Sequence, residues 1–145
     1  MRLTMRTELA MRTLMFCAVQ PERIVRKHEI ASACAASENH LAQVIHVLGQ
    51  KGFLRTIRGR AGGVLLGRPM EEITLGQVFR ALEAEVPFTD CAHNSGADCP
   101  LKDVCRLQCA INKALAAFFG TLDQITLSDL VTGNDGLARQ LRLVA

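Results

Sequence analysis

The stretch FLRTIRGRAGGVLLGRP, residues 53–69, constrains the fold more than any other. Phe53, Leu54 and Ile57 lead into Arg58-Gly59-Arg60-Ala61-Gly62-Gly63, and Val64, Leu65 and Leu66 lead out. Apolar runs on both sides of a glycine-rich turn predict a β-hairpin with a flexible basic tip. The glycines could also suggest a phosphate-binding loop. No GK[ST] follows them, however, and a strand comes next instead of a helix, which argues against one.

Everything around this hairpin reads as helix. Leu3, Thr7, Ala10, Leu14 and Cys17, with Met11, Met15 and Ala18, recur at three- and four-residue spacing and predict a helix over 3–20, ended by Pro21. RKHEIASACA fits a short second helix with Ile30, Ala33 and Cys34 inward, and Ala36-Ser37 breaks it. Ser37 is placed to cap a third helix, ENHLAQVIHVLGQKG, which Gly52 ends. Its apolar stripe is Leu41, Val44, Ile45, Val47 and Leu48, and its other face shows Glu38, Asn39, His40, Gln43 and His46. ITLGQVFRALEA gives a fourth helix. Residues 85–104 lack periodicity and read as a loop. A long helix returns from Cys105 to about Leu122, with Leu107, Ile111, Leu115, Phe118, Phe119 and Leu122 apolar. TLSDLV is a further turn capped by Thr126 or Ser128, and the tail from Gly133 is expected to be partly mobile. No internal repeat or low-complexity tract stands out. The fold class is therefore mainly α with a small β-wing: a winged helix-turn-helix over 1–84, a loop over 85–104, and a long helix and tail over 105–145.

Charge gives this arrangement a direction. Residues 1–68 hold 11 Lys/Arg against 4 Asp/Glu, residues 69–104 hold 2 against 7, and residues 105–145 hold 4 against 3. A basic first half suits a polyanion. The third helix can enter the roughly 12 Å major groove of double-stranded DNA with Ser37, Glu38, Asn39, His40 and Gln43 towards bases and phosphates. Arg58, Gly59 and Arg60 at the wing tip, with Arg2, then meet the backbone or minor groove. Either feature taken singly also fits an ordinary solvated helix face or an ordinary hairpin turn.

Four of the six cysteines lie in DCAHNSGADCPLKDVCRLQCAIN, residues 90–112. The amino terminus shows no continuous apolar export segment and nothing approaches the roughly 18 apolar residues of a membrane span, so a cytoplasmic location without membrane contact is expected. Thiols stay reduced there, which turns the cluster from disulfides towards metal, redox or catalytic roles. Cys91, Cys99, Cys105 and Cys109 are separated by seven, five and three residues. The longer gaps suit a loop around something larger than one ion, such as an iron–sulfur cluster. Zinc, a thiol switch and an enzyme follow in that order. Cys109, beside Ile111, reads as a buried structural cysteine, and Cys17 and Cys34 read as packing residues.

MRLT at the start, TIRGRAGGVLL in the wing, EITLGQVFRALE, and a cysteine loop ending CPLKDVCRL together resemble the winged-helix iron–sulfur transcriptional repressors. That family includes the nitric-oxide sensor NsrR, the cluster-biogenesis regulator IscR and the iron regulator RirA, and the chain is most similar to the nitric-oxide-sensing type. The resemblance covers nearly the whole chain up to TLSDLV. It implies a homodimer paired through the helix over about 105–122, with the cluster loop near the other subunit's first helix. It also implies loop ligands Cys91, Cys99 and Cys105, and a 4Fe-4S cluster favoured over a 2Fe-2S one. In some nitric-oxide sensors an acidic residue of the partner subunit completes the site, and the matching position is Glu8. Cys109, His93 and solvent remain alternatives for that fourth position. Cluster-biogenesis members carry a histidine ligand where this chain has Gln108, which argues against that subgroup.

The implied mechanism is a repressor released from its operator when nitric oxide nitrosylates or dismantles the cluster. The cluster fixes the spacing of two recognition helices against half-sites roughly 34 Å apart or a multiple of that. The alternatives are an iron- or redox-responsive repressor of the same family, or a cluster-free thiol or zinc switch. No paired catalytic carboxylates or nucleophile–base motif points to an enzyme.

Overall fold

The structure is a computed structural model that describes residues 4–83, 100–101 and 104–143. Helix α1 (Met5–Val19) starts at Thr4, whose side chain accepts from the Thr7 N–H, and it forms the centre of the fold. Ten of its 15 residues are buried, including Leu9, Thr13, Phe16 and Val19 off the expected stripe. A single apolar stripe does not describe it, because later helices and the wing cover α1 on several sides instead of leaving it on one surface of the core.

Helices α2 (Lys27–Ala33) and α3 (Glu38–Gln50) follow. The turn between them closes with paired hydrogen bonds, Ala36 N–H to Ala31 O and Ala35 N–H to Ser32 O. This helix end normally takes glycine in left-handed conformation. Here Ala35 holds φ 50° instead. The end of α3 repeats the motif with Gly52 at φ 76° and the Phe53 N–H on Leu48 O, as the sequence led one to expect.

Strands β1 (Leu54–Ile57) and β2 (Gly63–Leu66) pair antiparallel with Leu54 opposite Leu66 and Ile57 opposite Gly63. Val25, ahead of α2, adds a bridge to Val64 on the far side of β2. Gly63 permits that approach, since an added Cβ would overlap the Val25 carbonyl oxygen. After a 3-10 turn (Met70–Glu72) comes α4 (Leu75–Glu83), then α5 (Leu107–Asp123), α6 (Leu127–Val131) and α7 (Asp135–Leu143). The tail expected to be partly mobile from Gly133 is helical over Asp135–Leu143.

A short repeat escaped the sequence reading. Ile73-Thr74-Leu75 and Ile125-Thr126-Leu127 are the same tripeptide and pair antiparallel. Leu75 N–H donates to Ile125 O and Leu127 N–H to Ile73 O, at 2.9 and 2.8 Å. Each threonine caps the helix that follows, Thr74 accepting from Gln77 N–H and Thr126 from Asp129 N–H. The pairing carries Leu127 into the core, where it is fully buried beside α1.

Helix α5 contains no fully buried residue. Its later half rests on α4: Phe118 meets Phe79 at 6.4 Å, and Arg80 forms a two-pronged ion pair with Asp123 at 2.6 and 2.7 Å while lying over the Phe119 ring. Its first half does not pack on the core of the described residues. Leu107, expected on an apolar inner side, is 63% exposed, and Leu101 and Val104 before it are 57% and 76% exposed. No helix among the described residues is long and apolar enough to cross a membrane.

Leu127→Ala should destabilise the chain by about 2–5 kcal/mol, the range for a fully buried leucine. Denaturant unfolding checks this, and a change below about 1 kcal/mol would mean that α6 is not part of the core.

Candidate functional site

The exposed face of α3 projects from a fixed base. Leu41, Val44 and Leu48 are buried, which turns Glu38, Asn39, His40, Gln43 and His46 to solvent. Ser37 caps the helix, its Oγ accepting from the His40 N–H at 3.3 Å. Asn39, Gln43 and His46 recur at helical spacing, so they share one strip of the surface. Glu38 is engaged elsewhere: its carboxylate pairs with Lys27 Nζ of α2 at 3.2 Å. That pairing moderates the negative charge Glu38 would otherwise present to phosphates. No local sequence signal marks it, because the pair joins two separate helices.

The wing supplies the positive charge. Arg58, Gly59 and Arg60 are all exposed at the hairpin tip, and Arg55 is exposed on β1. Gly59 holds φ 109°, which few other residues adopt, and its carbonyl accepts from the Gly62 N–H at 2.9 Å to close the turn. Because α3 packs against β1, the polar strip and the basic tip belong to one body. Arg2 lies outside the described residues.

Of the expected metal ligands, Cys91 and Cys99 also lie outside the described residues, as does His93. Cys105 is a free thiol, half-buried just before α5, with its N–H on Leu101 O. Cys109, expected among packing residues, is exposed, since that half of α5 leaves the body. Among the described residues no three His, Cys, Asp or Glu side chains converge as a metal site. The described donor nevertheless suits iron–sulfur chemistry: a reduced, accessible thiol that is neither buried in apolar core nor tied in a disulfide. Cys17 and Cys34 are buried. Burial pushes the Cys17 thiol from its ordinary 9.0 up to about 12, with Cys34 adding to the effect, and burial also raises Cys34.

Glu8 sits on the part of α1 that the core leaves uncovered. It pairs with Arg12 one turn later at 3.5 Å, both side chains being about half exposed. The two border a groove of about 430 Å³ between α1 and the start of α3, and Cys34, Ser37, His40 and Gln43 line its other side. The groove thus joins an expected ligand to expected DNA-contacting residues. Arg12 and Cys34 were not anticipated there. Arg12 was legible as an i+4 partner of Glu8, but Cys34 reaches the groove only through tertiary packing.

A family model described as Rrf2, iron-dependent transcriptional regulator, matches residues 3–133. The chain belongs to the Rrf2 family. Protein aau3 of Rhizobium meliloti (strain 1021) is 44% identical over 131 residues, covering 90% of this chain and 85% of that one. The HTH-type transcriptional regulator NsrR of Bacillus subtilis (strain 168) is 37% identical over 144 residues, covering 99% of both. The solved structure of T. potens IscR superposes with a TM-score of 0.69 at 26% identity, covering 90% of this chain and 85% of that one. The Rrf2 assignment agrees with the winged-helix architecture and makes the chain a transcriptional regulator, not an enzyme.

This Rrf2 protein should show two classes of thiol. At pH 8 a thiol with pKa near 12 is about one part in ten thousand thiolate, so Cys17 should resist alkylation while Cys105 and Cys109 react. Peptide mapping checks this, and equal labelling of Cys17 in the native state would contradict its burial. The folded-state value lies above the unfolded one, so the stability this thiol contributes is complete below pH 9.0 and is lost as pH rises towards about 12.

Proposed function

We propose that this chain is a homodimeric repressor that binds double-stranded operator DNA and senses nitric oxide through an iron–sulfur cluster. The observation that carries the DNA reading is the joint placement of a solvent-facing polar strip on α3 and exposed Arg58 and Arg60 on one winged-helix body. The strip would enter the major groove with Asn39, His40 and Gln43. Arg58, Arg60 and Arg2 would neutralise phosphates, with Gly59 letting the wing approach.

The uncovered first half of α5 supports a homodimer. Leu101, Val104 and Leu107 are exposed, while Ile111 and Leu115 are half-buried. A second copy of α5 is the simplest cover for such a helix. Cys91, Cys99 and Cys105 would hold the cluster, with Glu8 of the partner subunit completing it. When bound, the cluster supplies iron that reacts with nitric oxide. The chain's own part is to present thiolate at Cys105 beside the dimer helix and carboxylate at Glu8 beside α3. Loss of that link would free the two α3 helices from a fixed spacing and release the operator. The 37% identity to a protein named NsrR over nearly the full length supports this signal over others. The family's iron-dependent description supports iron as the rival signal.

Titrating anaerobically purified protein with nitric oxide, while following operator binding, tests the proposal. Release at a few equivalents per cluster is expected; release only on iron chelation would shift the reading to an iron-responsive repressor. Arg58→Ala and Arg60→Ala should each weaken all DNA sequences alike and lower the log-affinity against log-salt slope by about 1. Gln43→Ala should instead cost about 1–3 kcal/mol on the preferred operator and relax base preference at one position. Unchanged salt slopes in both arginine variants would remove the wing from the interface.

A further inference from the structure

One carboxylate binds together two elements far apart in the chain. Glu83, the last residue of α4, accepts from the Thr4 N–H at 3.1 Å, from the Thr4 hydroxyl at 2.8 Å and from the Thr7 hydroxyl. The two threonine hydroxyls are also within 3.2 Å of each other. Thr7 is fully buried and Glu83 half-buried, so these donors face a carboxylate partly withdrawn from water. Such bonds to a charged acceptor are roughly twice as strong as neutral ones. Their effect outweighs the upward push of burial and keeps the Glu83 carboxyl below the usual carboxylate range.

The position of this clasp matters more than its strength. Thr7 immediately precedes Glu8, and α1 forms one wall of the groove whose other wall is Ser37, His40 and Gln43. On α4, Arg80 stands three residues before Glu83 and holds Asp123 of α5. Gly76 on the same helix leaves room for this pair, because an added Cβ would overlap the Asp123 carboxylate and force it to shift. Helix α4 therefore grips α5 through Arg80 and α1 through Glu83. A shift of α5 against the body has a polar, directional route to α1, and from α1 to the start of α3.

We infer that Glu83 is a positioning residue that sets α1, and through it Glu8 and the reading strip of α3, according to the placement of α4 and α5. This rests on the proposed function, in which α5 and its preceding cysteine belong to the sensing end and α3 to the DNA end. Glu83 contributes no ligand and contacts no DNA; it makes the two ends move as one.

The test compares operator affinity of cluster-loaded and cluster-free protein, in wild type and in Glu83→Ala, Glu83→Gln and Thr7→Val, well below each melting temperature. In wild type the ratio of the two affinities should lie within the roughly 5–150-fold range of coupled sites. Glu83→Ala should reduce that ratio about tenfold or to unity, with iron content per chain unchanged. Thr7→Val, which keeps the buried shape and removes one donor, should reduce it less. Glu83→Gln keeps the acceptor and should restore most of it. A merely structural residue would lower the melting temperature and leave the ratio at its wild-type value; that result in Glu83→Ala and Thr7→Val overturns the inference. Loss of iron from Glu83→Ala also overturns it, since the residue would then act on cofactor retention. If Glu83→Ala does not fold, Thr7→Val and Glu83→Gln decide alone by the same ratio. A wild-type ratio near one is a different failure, of the functional reading itself, and is seen before any variant is made.

Discussion

The burial of α1 is the constraint from which the rest of the structure follows. A 15-residue helix with ten buried positions needs cover on several sides. That cover comes from α3, α4, α6, α7 and the wing, which are drawn from the whole length of the chain. Its polar groups had to be satisfied on the way in: the Thr13 hydroxyl donates to Leu9 O at 2.7 Å, and the Thr7 hydroxyl is spent on Glu83. What α1 leaves uncovered is the narrow strip bearing Glu8 and Arg12, and that strip borders the groove beside α3. Core and candidate site are two sides of one helix.

The same logic separates the two halves of α5. Its later half has aromatic cover from Phe79 and a charged clamp in Arg80–Asp123, so it is anchored on α4. Its earlier half carries exposed Leu107 and the exposed Cys109, and Cys105 precedes it. A single chain has nothing to lay on that surface among the described residues. The proposed dimer would supply the cover, and under the same proposal Glu8 of the partner subunit would complete the cluster. Sensing and DNA binding then share a rigid connection.

Local features were legible in the sequence because local physics fixes them. Ser37, Thr126 and Gly52 announced helix ends through capping and left-handed geometry, and Leu41, Val44 and Leu48 announced the buried side of α3 through their spacing. The wing followed from glycines between apolar runs. What stayed hidden depends on partners distant in the chain. Leu9, Thr13 and Phe16 are buried because α1 has neighbours on several sides, which one amphipathic stripe cannot express. Ile125-Thr126-Leu127 pairs with its twin tripeptide 52 residues earlier, a repeat too short to register as one. Ala35 takes a glycine's conformation because the α2–α3 turn over-determines it. Within the candidate site, the polar face of α3 and the arginines of the wing were readable. The Lys27–Glu38 pair, the groove at Glu8 and the Glu83 clasp were not, because each joins separate elements. Cys109 was misplaced for the complementary reason: periodicity finds an apolar face but cannot say whether the chain itself covers it.

The central claim is that Cys105 and its neighbouring cysteines hold an iron–sulfur cluster that governs DNA binding. Counting iron and acid-labile sulfide, with the visible spectrum, in anaerobically purified wild type and Cys105→Ser tests it most directly. Wild type is expected to be brown, with about four iron and four sulfide per chain for a 4Fe-4S cluster, and Cys105→Ser to be colourless and iron-poor while still folding. A colourless wild type carrying zinc, or a Cys105→Ser variant as brown as its parent, would contradict it.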